Sequence, residues 1–188
     1  MNLIKESQKL QKEAAELLDS DKLLEKLSKI GKVELGGSFV YGTMVDEDID
    51  IAVIVDEKDI TYAFRKHIMD LLLDIDGLDG IAMTDRYHNP KDKAPKGIWY
   101  GPLVWYNNRR WNIDIWFVTQ DEPYSHHNLE LHKKMLNITD EQRQIMLDIK
   151  FAALREGAKQ KGVTSSHIYQ AVLNNNITTY KEFENLTK

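Results

Sequence analysis

From the amino end, apolar residues fall at helical spacing. Leu3, Ile4, Leu10, Ala14, Leu17 and Leu18 stand between charged neighbours and predict a helix over 3–18. A second helical stretch, Lys22 to Ile30, is stopped by Gly31. The period then changes. Lys32-Val33-Glu34-Leu35 alternates like a short strand and runs into Gly36-Gly37-Ser38, and residues 48–55 form the clearest strand, rich in β-branched side chains. Asp59 is the expected cap of a helix that carries Phe64, Ile68, Met69, Leu72 and Leu73 and ends near Gly77. Residues 80–88 predict a weaker strand, and Asn89 to Lys96 a polar loop with two prolines.

Strands over 97–106 and 109–118 follow, joined at Asn107-Asn108, a pair suited to the positive φ angles of a tight hairpin. From Thr139 the spacing is helical again. Thr139 with Gln142 forms a capping box, Ile145, Met146, Ile149, Ala153 and Leu154 make one apolar face, and Gly162 ends the helix. Two shorter helices close the chain, one from about Ser165 to Leu173 and one begun by Thr179 with Glu182. This is α+β order: a helical pair, a small mixed sheet, then a helical tail. The expected division is 1–138, with helices in 1–31 and the sheet in 32–118, followed by a helical extension over 139–188 packed on it.

Composition narrows the classes. The 188 residues are 42% hydrophobic and 29% charged, with a net charge of −5, which excludes a disordered chain. No apolar run approaches the roughly 20 residues of a membrane helix. The amino terminus alternates charge with apolar residues, unlike a signal peptide. Absence of cysteine excludes disulfide scaffolds and thiolate metal sites and fits a cytoplasmic location. Acidity argues against a nucleic-acid coat protein. It is also local: Asp46 to Asp59 holds seven carboxylates against Lys58, a balance of −6, so the rest of the chain sums to +1.

The chemistry concentrates in Gly37 to Asp50. Gly37-Ser38 ends a strand and opens a turn, so backbone N–H groups there face an incoming anion, with the serine hydroxyl as a further donor or cap. Asp48 and Asp50, at i and i+2 of a strand, project to one side while Ile49, Ile51 and Val53 take the other. Two adjacent carboxylates repel unless a cation lies between them. Beside a phosphate-cradling turn they would present Mg²⁺ to a nucleoside triphosphate. Asp114, a lone acid in an otherwise apolar strand, supplies the third carboxylate of a two-metal arrangement.

Gly37-Ser38, then Gly42 and Asp48-Ile49-Asp50, with Asp114 on a later strand, resembles the signature of the DNA polymerase beta-type nucleotidyltransferase superfamily, over roughly residues 32–118. The chain's size resembles the small stand-alone members, namely antibiotic nucleotidyltransferases and minimal forms found beside toxin–antitoxin helical proteins. The resemblance implies a small mixed sheet flanked by helices. It implies that Gly37 and Ser38 hold the β- and γ-phosphates and that Asp48 and Asp50 bind Mg²⁺. Asp114 would share a metal and help deprotonate the acceptor hydroxyl. Two Mg²⁺ ions would serve as cofactors, with pyrophosphate released. Pairing of two subunits as a homodimer is implied in the same way.

Blander readings stand beside these. An Asp-x-Asp pair alone is most often a solvated edge. Asp46 and Glu47 read as solvated loop residues, and Asp56, Glu57 and Asp59 as turn and helix-start residues. His126-His127 with His132 reads as a surface cluster, not a zinc site. Trp99, Tyr100, Trp105, Tyr106, Trp111 and Trp116 read as sheet packing, although Trp116, two residues beyond Asp114, could line the pocket. For the triphosphate charge, Lys150 is the chosen candidate. Arg155, Arg109, Arg110 and the loop lysines Lys91, Lys93 and Lys96 are the others.

The expected activity is Mg²⁺-dependent transfer of a nucleoside monophosphate from a triphosphate, ATP first, onto a hydroxyl of a small molecule such as an antibiotic. No basic stripe marks a nucleic-acid path. The rivals are nucleotidylation of a protein or tRNA, and a nucleotide-binding regulator that turns nothing over.

Overall fold

Asn2 caps the first helix, its side chain accepting from the Lys5 backbone at 3.1 Å. Leu3–Ser20 (α1) follows in the computed structural model, which describes residues 2–91, 95–122, 129–158 and 162–186. Then come α2 (Leu23–Ser28), β1 (Lys32–Gly36), α3 (Gly37–Tyr41), β2 (Asp48–Ile54) and α4 (Tyr62–Leu73). After these are β3 (Leu78–Asp85), β4 (Gly97–Tyr106), β5 (Arg109–Val118), α5 (Leu129–Met135), α6 (Asp140–Arg155), α7 (Ser165–Asn175) and α8 (Tyr180–Leu186). None of the described helices is long and apolar enough to cross a membrane.

The α+β expectation holds. One five-stranded sheet has the order β1-β2-β5-β4-β3, with β2 and β5 parallel and the other pairs antiparallel. The β4–β5 hairpin turns on Asn107 and Asn108 at φ 49° and 61°, the positive angles that asparagine tolerates. Alternation puts Ile49, Ile51 and Val53 of β2, and Trp111, Ile113, Ile115 and Phe117 of β5, on one fully buried face. Leu17 and Leu18 of α1, Leu27 of α2 and Ile68 and Leu72 of α4 belong to the same core. Each such side chain contributes about 1.5–3 kcal/mol by leaving water. The opposite face of β2 and β5 carries Asp48, Asp50 and Asp114.

A second core gathers α5 to α8: Leu131, Met135, Met146, Ile149, Ile168, Tyr169 and Phe183 pack together, with Tyr41 of α3 against them. Thr139 caps α6 through the expected box, its hydroxyl accepting from Gln142 N at 3.1 Å while Gln142 accepts from Thr139 N at 3.0 Å.

Several boundaries differ from expectation. Asp59 lies in a 3-10 turn, and Thr61 caps α4 instead, its side chain accepting from Phe64 N at 3.1 Å. That helix stops at Leu73, four residues short of Gly77. The α6 helix ends at Arg155 rather than Gly162, because Gly157 takes the left-handed conformation at φ 64°. Helix α5 was not foreseen, since its polar residues, Glu130, His132, Lys133 and Lys134, mask a short apolar side.

Candidate active site

The turn after β1 is built on Gly37, at φ 61°. A Cβ there would stand 1.9 Å from Oδ2 of Asp50, so no other residue fits without displacing that carboxylate. Ser38 follows, buried. The short helix α3 cannot hold itself, being five residues long, and its carbonyls are taken by distant side chains. Gln11 of α1 donates to Phe39 O at 2.5 Å, Ser7 of α1 to Gly42 O at 3.1 Å, and Arg143 of α6 to Tyr41 O. These clamps fix the backbone N–H groups of the turn.

The acids come together through register. Asp50 and Asp114 are Cα partners on the parallel pair β2–β5, and Asp48 is opposite Asn112. Directly paired residues share a face. Asn112 donates to Asp48 Oδ1 at 2.7 Å, and the Trp99 indole donates to Asp114 Oδ1 at 3.0 Å. Glu47, just before the strand, is ion-paired with Arg109, which also meets Glu13 of α1 at 3.0 Å.

Asp48 and Asp50 open onto a cleft of about 630 Å³ between the turn and the helical tail. Gly37, Ser38, Tyr41 and Asp46 line one side, and His132, Lys150, Tyr169, Thr164 and Ser165 the other. Lys150 is buried, and its ammonium donates to Thr43 O at 2.7 Å and to the Tyr169 hydroxyl at 3.2 Å. Thr43 Oγ1 shares a further bond with that hydroxyl at 2.8 Å, so the loop after α3 is stitched to α6 and α7. Tyr41 shares a 2.7 Å hydrogen bond with His132 Nδ1. Burial first, then Tyr169 and Asp50, pushes the Tyr41 hydroxyl up to about 12.

Gly37, Ser38, Asp48, Asp50 and Lys150 thus share one cleft, while Asp114 stands beside Asp50 on the next strand without lining it. Asp46, read as a solvated loop residue, also lines the cleft. So does His132, read as surface; His126 and His127 lie outside the described residues. Arg109 and Arg110 do not serve the cleft: Arg110 pairs with Asp79 at 2.7 Å, and Arg109 with the two glutamates. The Arg155 guanidinium lies over the Phe151 ring and the Lys96 ammonium over Tyr87, while Lys93 lies outside the described residues. The Trp116 ring has the Arg86 guanidinium over it at 5.7 Å. Tyr41, Tyr169 and the clamps on α3 escaped sequence reading. The buried serine at position 7, on an otherwise apolar face of α1, was the available signal.

Among the described residues, no three acidic or histidine side chains stand close enough to cage a metal ion by themselves. The donor set still suits Mg²⁺, which typically takes one or two carboxylates and completes its shell with phosphate oxygens and water. Charge points the same way. The described lining holds the carboxylates of Asp46, Asp48 and Asp50 and the ammonium of Lys150, and carboxylates side by side favour a cation between them.

Residues 20–95 match the family model of the nucleotidyltransferase domain. No curated protein matches the chain in sequence. Among solved structures the fold is similar to the poly(A) polymerase complex GLD-2–GLD-3, at 13% identity and a TM-score of 0.57, over 96% of this chain and 61% of that one. It is also similar to a cytoplasmic RNA terminal U-transferase, at 18% identity and a TM-score of 0.55, over 91% of this chain and 52% of that one. This chain therefore spans between half and two-thirds of each.

Proposed function

We propose that this chain, whose residues 20–95 match the nucleotidyltransferase family model, transfers a nucleoside monophosphate from a triphosphate, ATP first, to a hydroxyl of a small-molecule acceptor such as an antibiotic. One observation carries the reading: the Gly37 turn and the Asp50 carboxylate are in contact at the mouth of one cleft. At that separation a turn that cradles a phosphate and an acid that holds a metal would act on the same triphosphate.

In this reading the backbone N–H groups after Gly37 and the Ser38 hydroxyl bind the β- and γ-phosphates. Lys150, already anchored by Thr43 and Tyr169, sets positive charge against the same phosphates from α6. Asp48 and Asp50 would hold Mg²⁺ with the phosphate oxygens, and Asp114 would share a second ion. Bound there, the metal supplies charge neutralisation for the attacking and leaving oxygens. Asp114 receives the proton of the acceptor hydroxyl. The acceptor oxygen forms its bond to the α-phosphorus as the bond from that phosphorus to the bridging oxygen breaks, and pyrophosphate leaves.

The test is pyrophosphate release with each of the four labelled triphosphates, Mg²⁺ and a panel of hydroxyl-bearing antibiotics. Asp48→Asn, Asp50→Asn and Asp114→Asn should each abolish release while the melting temperature holds. Wild-type turnover by any of them would remove that residue from the metal site.

A second reading, transfer to an RNA end, is favoured by the fold likeness to the poly(A) polymerase and the terminal U-transferase. Against it, the hairpin arginines are committed to Glu13, Glu47 and Asp79. Labelling of RNA but not of small acceptors would decide for it.

A further inference from the structure

We propose that Trp99 is a positioning residue for Asp114, and that the missing side chain of Gly101 is the space that lets it act. The proposal rests on the reading of Asp114 as the group that receives the acceptor's proton.

Trp99 lies on β4, two residues before Gly101 and directly opposite Trp116 of β5. Its ring folds forward along its own strand: a Cβ on Gly101 would meet two ring carbons at 2.4 and 2.7 Å. Lying there, the indole nitrogen crosses to the neighbouring strand and donates to Asp114 Oδ1 at 3.0 Å. Any side chain at position 101 would lift the ring off the sheet and break this bond.

The bond matters because of what a carboxylate does without it. The terminal torsion of aspartate is broad and roughly two-fold, so the direction of its oxygens is set by the groups that bond to them, the Trp99 indole among them. Its neighbours on β5, Ile113 and Ile115, face the core and hold the backbone but not that torsion. A charge-assisted N–H bond to one oxygen sets the plane of the group. Asp50 is the register partner of Asp114, so that plane determines whether both acids address the same point. Trp99 is a donor only, with no proton to accept or lose, which suits orientation rather than proton transfer. Since Asp114 does not line the cleft assigned to the triphosphate, loosening it should slow the reaction without weakening triphosphate binding.

The experiment uses the full chain. Trp99→Phe keeps an aromatic ring and removes the N–H, whereas Gly101→Val keeps both Trp99 and Asp114 in the sequence and displaces the indole ring. Each should lower kcat by about 10–100-fold, as loss of a partner that orients a metal ligand does, with KM for the triphosphate unchanged. Each should also weaken Mn²⁺ binding, read by electron paramagnetic resonance in the presence of a non-hydrolysable triphosphate. Between the folded wild type and Asp114→Asn, the Trp99 indole N–H resonance should move, a readout that needs no change at Trp99. Wild-type kcat and Mn²⁺ affinity in Trp99→Phe, a change confined to KM, or an unmoved indole resonance would overturn the proposal. Inactive Asp114→Asn with wild-type Trp99→Phe sinks the tether alone. An Asp114→Asn that still turns over sinks the reading of Asp114 and the tether with it.

Discussion

Adding one methyl group at Gly37 should separate the turn from the acids. At φ 61° an L-residue costs about 1–2 kcal/mol relative to glycine. The added Cβ would also stand 1.9 Å from Asp50 Oδ2, where ordinary contact begins at 3.4 Å, so the carboxylate must retreat by the difference, 1.5 Å. The backbone of Asp50 cannot follow, because Ile49 and Ile51 on either side are fully buried. The displacement therefore falls on the carboxylate alone. Misplacing a reacting group by about 1 Å can cost about 100-fold in rate. Gly37→Ala should then lose about 100-fold or more in kcat while its melting temperature falls by about 2–4 °C for each kcal/mol lost. Gly36→Ala is the internal control: its φ is −133° and the nearest atom to its Cβ is 3.8 Å away. Pyrophosphate release at saturating Mg²⁺ and triphosphate, with melting followed by circular dichroism, measures both quantities. If Gly37→Ala melts lower yet turns over like Gly36→Ala, the contact between turn and acid is structural and the site assignment is wrong.

Lys150→Met removes the donor from Thr43 O and the Tyr169 hydroxyl, leaving buried oxygens under-bonded at about 1–3 kcal/mol, and should raise the dissociation constant for the triphosphate. Equilibrium dialysis and urea titration read the two effects; no change in dialysis would return Lys150 to a purely structural role. Burial pushes the hydroxyls of Tyr41 and Tyr100 up to about 12 from 10.0, so the folded chain holds these protons more tightly than the unfolded one. Their contribution is complete below pH 10.0 and is lost as pH rises toward 12; the urea midpoint should fall across that window, less so in Tyr100→Phe, and a flat midpoint would contradict it. The double variant Asp48→Asn, Asp50→Asn should bind triphosphate more tightly than wild type in EDTA while releasing no pyrophosphate in Mg²⁺. Weaker binding in EDTA would mean that the carboxylates do not repel the phosphates.

What could be read from the sequence was local. Asn107-Asn108 demanded a hairpin and Thr139 with Gln142 a helix start, because those signals are satisfied by neighbours three residues away or fewer. The Asp48–Asp50 pair was legible for the same reason: a strand's two-residue period alone puts both on one face. Contacts that span the chain could not be read. Arg109 looked available for phosphate because Glu13, 96 positions earlier, and Glu47 are brought to it only by the folded sheet and α1. Lys150 was named for the cleft, but its bond to Thr43 O, 107 positions away, was beyond any local pattern. The boundary errors have a common origin as well. At Asp59 and Gly162 a good capping residue stood near the true end, but Thr61 and Gly157, closer to the last buried turn, took the role.

The acidic run shows how a fold divides what a sequence lumps together. Seven carboxylates lie between Asp46 and Asp59, yet β2 runs straight through them. At about 3.3 Å per residue, the strand sets Asp56 about 20 Å from Asp50, beyond the screening length of about 8 Å at physiological salt. Asp56 meets Lys58 at 3.2 Å, and Glu47 meets Arg109, so both are balanced where they stand. Asp46, Asp48 and Asp50 line the cleft, with Asp114 one strand away and the Lys150 ammonium bonded to Thr43 and Tyr169. In the proposed function, carboxylates at the cleft favour a triphosphate that brings divalent cations over one that arrives alone. Under that proposal the same carboxylates oppose binding without metal and serve turnover with it, so neutralising them should move the two measurements in opposite directions.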